Sequence, residues 1–485
     1  MRTAGQRRGQ VLTPEIAEGG ATVIPVDSIR TQIKGRVIKP IDPDYDDART
    51  VFVGGIDRRP SLIVRPADAS DVAAAIGLAQ ENGVELAVRS GGHSATGFGV
   101  TDGGLVIDLR AMREIAIDAK ERTAWAGGGI TAGDYTTAAH ARGLATGFGD
   151  TASVGVGGLT LGGGFGYLSR KFGLAIDELL AAEVVTADGV VLQVDGSSHP
   201  DLFWAIRGGG GNFGVVTRFK FRLREVDTVF GGMLVLPATP HVIESFVTEA
   251  AESPDELGTI ANIMPAPPLP FIPAEHHGKL VVLIQMIYAG VIAKGEKAVA
   301  PLRALGPIVD MLRPMPYPQI YPPEDPNFRP IGANRVMFLD GIDWGAAETF
   351  VDHLEHSDAT TRVAQIRVLG GAIARVSAEA TAFAHRSRPV LVNIAAVYGR
   401  AEDAPRYRAW ADEFRVALQK GTTGAYVNFL ADDGPSRIRE AYPDPTWDKL
   451  KAIKRRYDPA NLFRLNQNVP PLADVMNAER STPKG

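Results

Sequence analysis

The apolar positions change period several times along the chain, and each change marks an element. Between Pro66 and Gly83, Val72, Ala75, Ile76 and Ala79 recur at helical spacing; Ser70 can cap the start, and Asn82-Gly83 ends the run. Val84-Glu85-Leu86-Ala87-Val88 then reads as a short strand. Leu105–Leu109 and Thr123–Ala126 predict further strands, and Thr131–Gly143 a helix with Thr131 as cap and Gly143 as stop. Glu183–Leu192 predicts a hairpin turning at Asp188-Gly189. Asp201–Ile206 is helical in pattern. Val215–Leu223 alternates, with Arg218, Lys220 and Arg222 on one face and Thr217, Phe219 and Phe221 on the other, the mark of a half-buried strand. A helix feeding a strand that ends in glycines is α/β architecture, with a ligand expected at the strand ends.

Around Gly231 the texture changes. Glycine thins out, and proline-rich stretches appear at Pro265–Pro273 and Pro314–Pro330. Lys279–Tyr288 and Val390–Tyr398 predict strands, while His241–Ala251, Ala346–His356 and Pro405–Leu418 predict helices. Strands separated by helices and long loops imply an antiparallel sheet covered on one face. Near the end, Trp447, Leu450, Ile453 and Tyr457 make the stripe of a helix stopped by Pro459, its lysines and arginines forming a solvated face. The whole is an α+β chain with an α/β first part.

A chain of 485 residues with 45% hydrophobic content is too long for one ordinary domain, so two or three globular units are expected. A net charge of −5, with basic residues scattered, gives no field for nucleic acid or anionic lipid and leaves a small molecule as the expected partner. Cysteine is absent, which removes disulfides, thiolate nucleophiles and Cys-ligated metals together. Arg7-Arg8 imitates a twin-arginine signal, but Glu15, Glu18 and two glycines interrupt the apolar run that such a signal requires, so a polar leader is expected. No segment approaches the roughly 20 apolar residues that cross a bilayer, and the expected compartment is the cytoplasm. His353, Glu355 and His356, and Glu275-His276-His277, lack a third ligand at plausible spacing, so no metal is expected.

Candidate chemistry begins at Arg89-Ser90-Gly91-Gly92-His93-Ser94, where adjacent glycines after a strand let backbone N–H groups approach an anion and one imidazole follows at a fixed point. Further on, Ser153-Val154-Gly155-Val156-Gly157-Gly158-Leu159-Thr160-Leu161-Gly162-Gly163-Gly164-Phe165-Gly166 is too glycine-rich for an ordinary helix or strand and suits something flat packed upon it. Gly209, Gly211 and Gly214 match G-x-G-x-x-G, but the helix precedes and the strand follows, the reverse of a dinucleotide fingerprint.

In this order, the Arg89–Ser94 turn, Thr101–Leu109 and the glycine run resemble the vanillyl-alcohol oxidase and p-cresol methylhydroxylase flavoprotein superfamily, and within it the berberine bridge enzyme-like branch. The resemblance spans about residues 65–223 and 370–471. It implies an FAD-linked oxidoreductase, with molecular oxygen as a possible electron acceptor and a monomer or homodimer as the assembly. It also implies a flavin domain of residues 1–232 (core about 56–227), a substrate domain of 233–425, and a segment, 426–485, that returns to the flavin domain.

By resemblance FAD lies along Arg89, Ser90, Gly91, Gly92, His93, Ser94, Asp150, Thr151, Val154, Gly155, Gly157, Gly158, Leu161, Gly162, Gly164, Val185, Gly214, Val216, Asn466 and Asn468. A histidine at the position of His93 carries the flavin covalently in such proteins. The second tether many of them add, a cysteine, falls near Thr151 and cannot form here, which implies FAD held through His93 alone. Carbohydrate-oxidising members keep tyrosines where this chain has Phe165 and Phe429, and the alkaloid-cyclising type keeps a glutamate where Asn393 stands. Those absences point away from a sugar and toward a small amine, phenol or natural product. Tyr426, His385 and Asn393 remain as candidate catalytic residues, with Tyr398 a further polar group.

Overall fold

The computed structural model describes residues 33–421 and 423–473, so the Arg7-Arg8 leader lies outside the described residues. The first sheet contains β1 (Arg36–Ile38), β2 (Leu62–Arg65), β3 (Leu86–Arg89) and β4 (Leu105–Asp108) in the order β1-β2-β4-β3, with β2 and β3 both parallel to β4. The crossover from β2 to β3 is α1 (Ala69–Glu81), which buries Val72, Ala75, Ile76 and Ala79. Its cap is Asp68 and not Ser70: the Asp68 carboxylate accepts from the N–H groups of Ser70 and Asp71. Gly83 closes the helix in the left-handed region at φ 61.

The second sheet runs β5 (Ile115–Asp118), β6 (Thr123–Gly127), β9 (Val215–Arg222), β7 (Leu179–Val185) and β8 (Val191–Asp195), all antiparallel. β7 and β8 pair from Val185↔Val191 around Gly189, which takes φ 78 in the turn. Phe219 and Phe221 of β9 point inward, Phe221 edge-on to Phe148 and Tyr135, while Arg218 and Arg222 face solvent. Thr131 caps α2 (Ala132–His140) by accepting from Asp134 N–H.

The glycine run departs from the expectation of neither helix nor strand, because Val156–Gly162 forms a short helix, α3. The glycines make its close packing possible: a Cβ on Gly157 would meet the Gly128 carbonyl oxygen at 2.7 Å. Val156 and Thr160 are also buried. The Gly209–Gly214 loop follows a helix, Pro200–Ala205, and leads into β9, so no strand feeds it.

The third sheet is eight-stranded. Its long strands are β10 (Thr228–Pro237), β11 (Leu257–Pro265), β12 (Leu280–Tyr288), β13 (Ile331–Leu339), β14 (Thr361–Val368) and β15 (Val390–Tyr398), in the order β10-β12-β11-β14-β15-β13, with every neighbour antiparallel. The expected boundary at 232 therefore falls inside β10. One face is an apolar core under α4 (Pro240–Glu252), α5 (Trp344–Glu355) and α6 (Ala404–Leu418). The other face turns to the first two sheets, as the hydrogen bonds from Tyr167 to Gln285 and from Gln365 to Asp150 mark.

The chain returns through α7 (Asp444–Tyr457). Lys454 corrects the expectation that all its basic residues are solvated. Its side chain is fully buried, and Nζ donates to Asp458 at 2.7 Å, to the Asn212 carbonyl at 2.7 Å and to the Phe463 carbonyl at 2.9 Å. Asp458 in turn accepts from the N–H groups of Leu462 and Phe463. This pair clasps the segment after α7 to the Gly209–Asn212 loop. Among the described residues no helix is long and apolar enough to cross a membrane.

Candidate active site

A cavity of about 490 Å³ opens where the three sheets meet. One wall is main chain. The turn leaving β3 lines it with Gly91, Gly92, His93 and Ser94, whose N–H groups make no hydrogen bond to a described residue. Gly91 crosses Gly155 so closely that a Cβ on Gly91 would meet Gly155 N at 2.2 Å. A Cβ on Gly155 would lie 2.2 Å from Ser90 Oγ, so no other residue type fits either position without the chains parting. At Gly158 and Gly211, which also line the cavity, a Cβ would have nothing within 4 Å. The first pair of glycines lets two segments touch, and the second pair leaves room for a ligand.

The Arg89 guanidinium is spent on the protein itself. Arg89 and Asp108 end neighbouring parallel strands in register, and both are buried. Nη2 donates to Asp108 at 2.9 Å, and the guanidinium also reaches the carbonyls of Ala48 and Thr50. Burial alone would raise the Asp108 carboxyl, but the charges of Arg89 and Arg110 win and hold it well below the usual carboxylate range.

His93 lines the cavity, stacked on Phe52 with ring centroids 4.2 Å apart, and its Nε2 lies 3.0 Å from Ser153 Oγ. Burial lowers its pKa to about 4 against a smaller opposing pull from Glu324, so the imidazole is neutral at neutral pH. Thr151 lines the cavity with a hydroxyl where a second tether would need a thiolate.

The opposite wall is made of side chains. Asn334 of β13, Arg367 of β14 and Asn393 of β15 project from the sheet face that the helices leave open. Asn334 Nδ2 donates to the Phe429 carbonyl at 2.6 Å and approaches Asn393 Oδ1 at 3.5 Å. Arg367 Nη2 donates to Asp150 at 2.7 Å, tying the two walls together. Phe165 stands edge-on to Tyr426 at 4.8 Å. The Tyr426 hydroxyl accepts from Gly164 N–H and from Asn428 Nδ2, each at 2.9 Å. Burial raises its pKa, with those two bonds and the Arg367 charge offsetting part of the rise, so the phenol holds its proton at neutral pH.

Most residues named from sequence meet here, namely Arg89–Ser94, Asp150, Thr151, Val154, Gly155, Gly157, Gly158, Leu161, Gly214, Val216, Asn393, Tyr426 and Asn466. Others do not line the cavity. His385 sits behind it, its Nε2 2.8 Å from the Glu440 carbonyl and its ring beside Phe338, because the chain after Phe383 turns into the core. Tyr398 ends β15 stacked on Tyr407, 5.0 Å away. Gly162 faces Asn428, Gly164 serves Tyr426, Val185 is packed in the core beside the first sheet, and Asn468 lies just past the lining. Asn334 and Arg367 were missed by sequence reasoning. A signal existed for Arg367: Ala364, Ile366 and Val368 alternate with Gln365 and Arg367, which places the two polar residues together on the face away from the apolar core.

A main-chain wall with four N–H groups unpaired among the described residues, glycines that leave open space, and a buried neutral imidazole fit FAD, and Asn466 Oδ1, buried without a partner among the described residues on the same cavity, fits a ligand N–H. The fold and site together define an FAD-linked oxidoreductase of the p-cresol methylhydroxylase type. Residues 60–195 match the family model "FAD binding domain" and residues 425–470 match "Berberine and berberine like". The chain is 31% identical over 459 residues to (R)-6-hydroxynicotine oxidase of Paenarthrobacter nicotinovorans, covering 90% of this chain and 97% of that one. It is 28% identical over 457 residues to xylooligosaccharide oxidase of Thermothelomyces thermophilus, covering 85% and 87%. Its structure superposes on 6-hydroxy-D-nicotine oxidase from Arthrobacter nicotinovorans with a TM-score of 0.81 at 30% identity, over 91% of this chain and 98% of that one. The chain belongs to the berberine bridge enzyme-like family of FAD-linked oxidoreductases.

Proposed function

We propose that the protein oxidises a small amine, phenol or related natural product, using FAD held through His93 alone and molecular oxygen as acceptor. Bound FAD supplies a two-electron sink for the hydride of a carbon placed over its ring. The chain supplies placement: the Ser90–Ser94 turn and the α3 glycines hold the cofactor, and the open face of the third sheet holds the substrate. His93 suits the tether because its imidazole is neutral and stacked in one orientation on Phe52.

One observation carries the substrate class. Phe165, Asn393 and Phe429 all line the cavity, so the three places where the resembled enzymes keep a proton acceptor hold none. Tyr426 keeps its proton, and the Asp150 carboxylate is engaged by Arg367 and Gln365. A sugar hydroxyl must lose its proton as the hydride leaves, whereas a neutral amine donates its own lone pair and an acidic phenol ionises beforehand.

The test is a turnover panel of oligosaccharides, cyclic and benzylic amines, and phenols with one preparation of the holoenzyme. Amines and phenols are expected to turn over, with kcat/KM for an amine rising through that amine's own pKa. Efficient oxidation of an oligosaccharide at its anomeric carbon would overturn the reading in favour of a carbohydrate oxidase, and no turnover of any compound would favour a flavin-binding module. The tether is read separately: after acid precipitation the yellow colour stays with the protein, and in His93→Ala it is released.

A further inference from the structure

The sheet-side wall holds a guanidinium whose hydrogen bonding is incomplete. Arg367 spends Nε on Gln365 Oε1 at 3.1 Å, and Nη2 on Gln365 Oε1 and Asp150 Oδ2, both at 2.7 Å. Nη1 has no acceptor among the described residues, although Arg367 is 5% exposed and lines the cavity. Its neighbour on the wall repeats the pattern. Asn393 Oδ1 faces Asn334 Nδ2 at 3.5 Å, and no described residue accepts from the Asn393 amide. The remaining surroundings are aromatic: the Arg367 guanidinium lies over the Phe429 ring at 5.1 Å, beside Phe165 and Tyr426.

Neither Arg367 Nη1 nor the Asn393 amide is sealed from water; both belong to residues that line the cavity, so a ligand that displaces the water there must supply the acceptor or leave these donors unpaired. A flat, apolar pocket with one such cluster at its edge selects a ring bearing an acceptor, and a charged donor selects an anionic acceptor most strongly. A cationic group finds no counterpart there. Among the described residues Asp150 is the one carboxylate lining the cavity, and Arg367 and Gln365 already hold it.

We propose that Arg367, with the Asn393 amide, is the subsite for an anionic oxygen of an aromatic substrate, a ring carboxylate or an ionised hydroxyl, and thereby sets the substrate class. This rests on the reading of the cavity as the oxidation site for small amines and phenols, and narrows it to members carrying an acidic oxygen. Nη1 donates to that oxygen; the acid loses its proton to solvent before binding, so no base on the wall is required. The single unspent guanidinium nitrogen fixes which end of the ring meets the sheet, and so which carbon meets the cofactor.

The experiment is a binding titration of the holoenzyme with benzoate, phenol and benzylamine, followed by the perturbation of the bound flavin's visible absorption, which reads occupancy without turnover. Benzoate is expected to bind at least roughly ten-fold tighter than benzylamine, and Arg367→Gln to weaken benzoate by roughly 10- to 100-fold, the worth of one charge-assisted hydrogen bond. Benzylamine should change little, and Arg367→Lys should restore part of the benzoate affinity. Phenol that binds tighter as pH rises through its own ionisation assigns an ionised hydroxyl as a ligand, and benzoate binding that ignores pH over that range assigns a carboxylate; either supports the subsite. If Arg367→Gln fails to fold because Asp150 loses its partner, Asp150→Asn/Arg367→Gln removes both charges and is titrated in the same way. Unchanged benzoate affinity in either variant, or tighter binding of benzylamine than of benzoate by the wild type, would overturn the proposal. The turnover panel decides the underlying reading independently, because benzoate, phenol and benzylamine binding is measured whether or not any compound is oxidised.

Discussion

The wall of the cavity formed by Ser90–Ser94 and Gly155–Gly158 presents main chain, whereas the wall formed by β13, β14 and β15 presents Asn334, Arg367 and Asn393. The first depends on what is absent: each missing Cβ lets two segments touch or leaves space for the cofactor. The second depends on what is present and how it is paired. A main-chain wall recognises any molecule with the right shape and phosphate chemistry, which suits the proposed role of holding a shared cofactor. A side-chain wall on a rigid sheet is re-specified by single substitutions, which suits the proposed role of selecting a substrate particular to this chain.

The comparison breaks most visibly at Gly155. Gly155→Val should abolish recoverable holo-protein, because a Cβ there collides with Gly91 and Ser90. Gly158→Ala is the sharpening control: nothing lies within 4 Å of its Cβ and it sits in α3, so apo-protein stability should hold or rise while FAD binding falls. Bound FAD per chain and the urea midpoint of the apo-protein separate the two. Equal loss of stability in both variants would show that the glycines are not divided in this way.

Lys454 tests how firmly the returning segment supports the cavity. Lys454→Met strands Asp458 in the core and should cost about 3–5 kcal/mol in denaturant unfolding, while Lys454→Met/Asp458→Asn, which removes the stranded charge and keeps an acceptor for the Leu462 and Phe463 N–H groups, should regain part of it. A single-variant loss below about 1 kcal/mol would place the clasp elsewhere.

His93 gives a pH signature on the main-chain side. Its folded pKa, about 4, lies below the ordinary value of 6.5. The unfolded chain therefore binds a proton first as pH falls, and stability is lost between about 6.5 and 4. Apo-protein His93→Gln should lose less over that window than the wild type, by up to about 3 kcal/mol, in parallel urea titrations. A wild-type curve matching the variant would mean the ring is solvated.

The smallest effect is expected at Tyr426. Tyr426→Phe leaves Gly164 N–H and Asn428 without their acceptor and should cost about 1–2 kcal/mol. If the phenol is no base, kcat/KM with the best amine should fall less than roughly ten-fold, within what one lost hydrogen bond explains. A fall of several orders of magnitude, with binding unchanged, would make Tyr426 catalytic.

Legibility in the sequence follows the same division. Helices and strands with clean periods were readable to within a few residues, as at α1, β9 and β15, since period reports which face is buried. α3 was not, because propensity argues against a glycine helix and only the close approach to Gly128 explains it. The cap of α1 moved from Ser70 to Asp68 because a carboxylate reaches two N–H groups.

Local order and residue type were enough to determine the strand-turn-glycine pattern and the absence of a thiol for a second tether. Tertiary structure alone decided that Arg367 meets Asp150, that Lys454 is buried, and that His385 and Tyr398 stand away from the cavity. The reason is physical. Glycine's role is written in its own missing side chain, whereas the partner of a charged or polar group more than 200 residues distant along the chain, such as Asp150 for Arg367, is fixed by sheet register and domain packing, to which no local period gives access.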